Sequence, residues 1–199
     1  AEEARSITDQ LNAISNNAAI SFDDLANGLS RVGSVFASQN TSIGELSAML
    51  TGANEILQNI EKTSNGLKTI SQRLRGIDAE MSGDVLGTAK LQGLFTSITE
   101  QYGDVVRITD EATGQLRGTY DILKDLAGVW GSLTSNEQQL LGEKIAGKNQ
   151  ITVLQALLNN WEGVEKAIKN VDAAAGSAAR EQSAYINSLT GAVNQLKSA

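Results

Sequence analysis

Two four-residue stretches, Ser42-Ile43-Gly44-Glu45 and Thr134-Ser135-Asn136-Glu137, carry a hydroxyl residue followed three places later by Glu. In such a capping box the hydroxyl accepts a hydrogen bond from the third helical N–H, and the Glu side chain reaches back to the backbone N–H of the cap, so a helix starts there. Apolar stripes follow at once: Leu46, Met49, Leu50, Ala53 and Leu57 after the first, Leu140, Leu141 and Ile145 after the second. Ser21, with Asp24 in the first turn behind it, opens a third stripe of Leu25, Leu29, Val32 and Phe36. An uncapped stripe of Ile7, Leu11, Ile14 and Ala18 precedes them. The chain is expected to break between Gly147 and Asn149 and to restart with Ile151, Leu154, Leu158 and Trp161, extended by Val164 or Ile168. A last helix carries Tyr185, Leu189, Val193 and Leu196. As one helix, 199 residues would reach about 300 Å at 1.5 Å per residue. Starts this frequent predict instead an all-α fold, a compact multi-helix bundle of short capped helices.

Two regions lack the helical period. Asp78 to Val85 reads as a loop, and it divides the chain, if anything does, into 1–77 and 86–199 within one helical domain spanning 1–199. The β-branched run from Val105 to Thr109 meets a glycine turn and then Gln115-Leu116-Arg117, which allows a short hairpin over 104–118. Such a hairpin is marginal alone and would have to lean on the helices. The chain starts at Ala1 in mid-pattern, as a piece of a longer protein would.

Composition removes most chemistry. There is no His, Cys or Pro, so the usual zinc sites, Ser-His triads, thiol nucleophiles and disulfides are excluded. The core must be aliphatic, because only 4% of residues are aromatic. A net charge of -7, without runs of like charge, argues against a general nucleic-acid binder. The longest apolar run, Ile151 to Leu158, is far below the roughly 18 residues of a membrane span. No cofactor is implied.

The stretch Gly66 to Gly76 ends in Arg73-Leu74-Arg75-Gly76. Leu67, Ile70, Leu74 and Ile77 fall within an arc of roughly 80°. Arg73 sits beside that arc, where its stem lies on the core edge and its guanidinium seeks a carboxylate, expected on a neighbouring helix. Arg75 lies about 200° from Arg73, on the solvated side, so the pair does not form one anion site. Gly76 supplies a left-handed helix stop. Gly142 to Lys148 matches GxxxxGK, but Asn149 replaces the Ser or Thr of a phosphate loop. Gly147 is better read as a helix end with Lys148 near its carbonyls. Glu45, Glu137 and Glu143 are the carboxylates on offer for glycoside hydrolysis, yet each suits a cap or a solvated helix position. Trp130 and Trp161 lie on apolar stripes and serve as core fillers or as partner anchors. The seam from Tyr185 to Leu196 either closes onto the bundle or joins a multi-chain coil.

Several spaced blocks occur in order: "LNAISNNAAISFDDLANGLSRVGSVFASQNTSIGELSAMLTGANEILQN", "GLKTISQRLRG", "LRGTYDILKDLAGVW", "LTSNEQQLLGEKIAGKNQITVLQALLNNW" and "AAGSAAREQSAYINSLTGAVNQLKS". Over nearly the whole chain this resembles the core region of tail tape measure proteins of long-tailed bacteriophages and prophages; 78–101 is least similar. The resemblance implies a non-enzymatic virion protein that lies in the tail tube, helps set its length and leaves during DNA delivery. It implies tail tube, tail tip and tail assembly chaperone proteins as partners, with self-association allowed, and a stay in the host cytoplasm during assembly. Arg73, Arg75, Gly76, Gly147 and Lys148 fall in matching blocks and carry over as structural positions. A competing reading is a self-assembling filament or secretion-type protein, which would need a sustained heptad seam. A peptidoglycan-cleaving enzyme is a third.

Overall fold

A computed structural model describes residues 2–78, 81–103 and 105–174, with the side chains of 2–4 left aside. Helices run over Glu2–Ser15 (α1), Phe22–Ala37 (α2), Ile43–Leu57 (α3), Ile60–Leu74 (α4), Thr88–Thr99 (α5), Thr119–Trp130 (α6) and Ser135–Asn159 (α7), with a 3-10 turn at Glu100–Tyr102. A further helix, α8, covers 161–174. The stripe at Tyr185, Leu189, Val193 and Leu196 lies outside the described residues.

The starts follow the caps. Ser42 and Thr134 form complete capping boxes with Glu45 and Glu137, and the Ser21 hydroxyl accepts from the Asp24 N–H. The stop of α4 also follows the sequence. Gly76 has φ +71° and donates to the Arg73 carbonyl at 3.0 Å, while Ile77 donates to that of Gln72 at 2.9 Å, the paired bonds of a Schellman stop. The early stop turns Ile77 out, so it is exposed rather than part of the apolar arc. Leu140 is likewise exposed, because α7 buries Leu141 and Ile145 instead.

The core is one cluster of aliphatic side chains with Phe36, Phe95 and Trp130. At its centre α7 lies against α4 and α3, and α2 closes over both. No strand forms among the described residues. The Val105–Thr109 run is reduced to one antiparallel bridge between Thr109 and Leu116. Its backbone finds other partners. Gln92 donates to the Val106 carbonyl and accepts from the Ile108 N–H, at 3.0 and 2.7 Å. The Thr99 hydroxyl accepts from the Val106 N–H. A helix side chain thus does the work of a second strand, and Val106 and Ile108 reach the core.

Candidate functional site

Arg73, in the last turn of α4, is 3% exposed. A buried guanidinium requires an anion, and Asp84 supplies it from the loop after α4. Nη2 and Nη1 donate to Asp84 Oδ1 at 2.7 and 3.0 Å. The acid therefore comes from a nearby loop rather than from a neighbouring helix. That loop is tied to itself. Asp78 accepts from the backbone N–H groups of Ser82 and Gly83, and the Ser82 hydroxyl lies 2.9 Å from Asp78 and 2.5 Å from Asp84. Its single proton serves one carboxylate at a time.

On the other side of Arg73 stands Gly147. Its φ of 72° and ψ of 165° interrupt α7 in a region essentially reserved for glycine. A Cβ there would stand 2.9 Å from Arg73 Nη2 and 3.1 Å from its Cζ. The break expected after Gly147 is thus a one-residue kink with helix on both sides, not a loop. Arg73, Ser82, Asp84, Gly147, Lys148 and Asn149 line a small cleft of about 360 Å³, with Lys148 exposed.

Arg75 is half-buried rather than solvated. Its Nη2 donates to the carbonyls of Gln39 and Arg117, at 3.2 Å each, joining the turn after α2 and the segment before α6 to the end of α4. Beside it the Gln39 amide oxygen accepts from the buried hydroxyls of Ser71 and Thr119. Arg73 and Arg75 point to different neighbours, as their angular separation requires.

A second feature carries no charge. Gly44 and Gly52 of α3 and Gly66 of α4 face Val171, Val164 and Val153; a Cβ on them would come within 2.8, 2.4 and 2.5 Å of those valines. The glycines form a trench in which the chain after Gly147 is seated. Asn160 closes it by donating to the Gly52 carbonyl at 2.9 Å and to Glu55 at 2.8 Å. Helical glycine costs about 1 kcal/mol against Ala, and close approach of backbones is what it permits here. Sequence reading missed all three, since a glycine within a helical pattern looks like a weak break.

Trp130 is buried in the core. Trp161 is half-buried, its ring 5.6 Å from that of Tyr120, and it borders an open cleft with Arg107, Lys124 and Glu165. Tyr185 lies outside the described residues.

The acids considered for hydrolysis are held apart from any shared task. Glu137 accepts from Thr134, from the Tyr102 hydroxyl at 2.8 Å and from Gln101. Glu45 closes its own cap and Glu143 pairs with Gln139. The Thr134 amide and hydroxyl hold Glu137 below the usual carboxylate range, the opposite of what a general acid needs. Among the described residues no acidic cluster could hold a metal ion.

Asp78 and Asp84 are also depressed, Asp78 chiefly by the Ser82 and Gly83 amides, Asp84 by the Ser82 hydroxyl and then Arg73. A carboxylate depressed in the folded state adds stability above its unfolded pKa, about 4, and loses it as pH falls through the lower folded value. Thermal midpoints should therefore hold from pH 7 to about 5 and begin to fall below about 4. In Asp78→Asn the acid fall should be shallower. Parallel curves for the two proteins would remove this loop from the account.

Comparison with known proteins adds two findings. A family model described as phage-related minor tail protein matches residues 1–147. No solved structure matches.

Proposed function

The chain belongs to the phage-related minor tail protein family, and from that membership we propose that it is a segment of a tape measure protein, a structural module of the tail tube lumen that helps set tail length and leaves with DNA delivery. The observation that carries this reading is how the polar side chains are used: Arg73, Arg75, Gln39 and Asn160 hold one segment of chain to another, and Ser21, Ser42, Asn59 and Thr134 cap their own helices. None of them forms a nucleophile, an acid–base pair or a metal site. Partners are then the tail tube, tail tip and assembly chaperone proteins.

A ruler in a tube is long, and this bundle is compact. We reconcile the two by a module that is closed when isolated and opens into end-to-end helices in the tube. Helices α2, α3, α4 and α7, capped by their own Ser21, Ser42, Asn59 and Thr134, keep their starts when tertiary contacts are lost, so for them such an opening is a change of packing rather than of secondary structure. No helix among the described residues is long and apolar enough to cross a membrane. The negative surface would ease passage through a conduit shared with DNA.

The test is protease protection in virions of a phage encoding this chain. The expected result is a chain resistant in intact tails and cleaved or released once ejection is triggered. A chain digested equally in both states lies outside the tube, and the reading fails.

A further inference from the structure

The kink at Gly147 and the glycine trench together imply an exchange between copies. α7 is helical on both sides of one residue, Gly147, which alone departs from helical angles. Were it to adopt them, Ser135–Asn159 would become a straight rod of about 37 Å at 1.5 Å per residue. That rod would carry the following segment, 148–174, out of its own trench. The segment buries Val153, Leu154, Leu157 and Val164, so it cannot remain in water, and the emptied trench has lost its filling as well. The surface that satisfies both is the same pair on a second copy.

We infer that residues 148–174 form an exchangeable arm, hinged at Gly147, that docks in the α3–α4 trench of another copy of this chain. The contacts are those already made within one chain: Val153 at Gly66, Val164 at Gly52, Val171 at Gly44, and Asn160 on Glu55. Swapping identical elements forms no new interface and loses none, so the balance is set by the hinge. Two features make the bent hinge open to glycine alone. Glycine tolerates φ 72° with ψ 165°, and the Arg73 guanidinium, fixed by Asp84, occupies the space where a side chain at 147 would stand. The inference rests on hinge and trench alone and stands whether or not the chain lies in the tail tube.

Gly147→Ala turns both features against the bent form and favours the straight helix. The strain relieved is worth about tenfold per arm, hence about a hundredfold in the monomer–dimer equilibrium for two arms. The chain has no cysteine, so single thiols can report who meets whom. Chains carrying Gly147→Ala with Glu55→Cys and Gly147→Ala with Asn160→Cys are unfolded, mixed, refolded and treated with a short bis-maleimide. A covalent heterodimer, with a dimeric or larger mass by light scattering, is the expected result. Folded monomers that cross-link only when both thiols are in one chain would overturn the exchange. Should Gly147→Ala lose its helical circular dichroism, the same thiol pair in the Gly147 background is refolded over a range of concentrations. Heterodimer yield must then rise with concentration, and a yield that stays at zero up to millimolar chain overturns it equally.

Discussion

Replacing Gly66 by Ala should lower the thermal midpoint by about 6–12 °C, a loss of about 3 kcal/mol for a chain of this size. The added methyl would stand 2.5–2.7 Å from three carbons of Val153. Val153 is fully buried on α7, so neither helix can yield without opening the core. Propensity acts the other way, since Ala is the better helix former by about 1 kcal/mol. Packing therefore has to outweigh propensity, and the sign of the change is diagnostic. Adding Val153→Ala should recover part of the loss, although that change alone removes a buried side chain worth about 2 kcal/mol. A coupling of at least about 1 kcal/mol in the double-mutant cycle is expected. If the two effects simply add, or if Gly66→Ala stabilises, the trench is not packed as described.

The second large effect is an asymmetry within one ion pair. Asp84→Ala should cost about 2–3 kcal/mol, because it leaves the Arg73 guanidinium buried without its carboxylate. The figure is set below the usual range for broken buried pairs because Asp84 is 36% exposed and partly screened. Arg73→Met should cost less than about 1 kcal/mol. An apolar chain of similar length fills the space beside Gly147, and the carboxylate left behind can take up water. Urea unfolding of the two variants reads the difference. Equal losses would mean that the charge, rather than the burial of one partner, governs the contact.

What could be read from the sequence was what short-range chemistry decides. Ser42 and Thr134 start helices because a hydroxyl and a Glu three residues on satisfy first-turn amides wherever they occur, and Ser21 does so with its hydroxyl alone. Gly76 stops α4 because the left-handed angle is a local requirement. The contacts that turn helices into a bundle were not legible. Arg75 is held by carbonyls 36 and 42 residues away, which no periodicity in its own helix reports. Arg73 finds Asp84 in a stretch with no repeat at all, where the turn is made by Asp78 accepting from Ser82 and Gly83. The β-branched run after Val105 meets the returning chain only around the Thr109–Leu116 bridge, where Arg117 donates to the Ile108 carbonyl and Asp110 to that of Gln115, and Gln92 answers the backbone at Val106 and Ile108. Gly44, Gly52 and Gly66 were silent for a different reason: a glycine is visible in sequence as a weakness, and its use becomes visible only when the valine that enters the gap is known.

The Arg73–Asp84 contact and the kink it supports divide the molecule in an informative way. The family match covers residues 1–147, so its last matched residue is the hinge itself. The arm beyond it supplies the three valines of the trench, while the trench lies wholly within the matched part. A tail protein that closes by seating its own following segment has a ready means of opening, by withdrawing that segment.

The measurement that most directly tests the proposed role is tail length, by electron microscopy, in phage whose copy of this segment is deleted or duplicated in frame. If the module lies in the tube as end-to-end helices, α1 to α8 alone span about 185 Å at 1.5 Å per residue, so losing residues 1–174 shortens the tail by at least about that much and duplicating them lengthens it by the same amount. Tails of unchanged length in both would contradict a role in length determination.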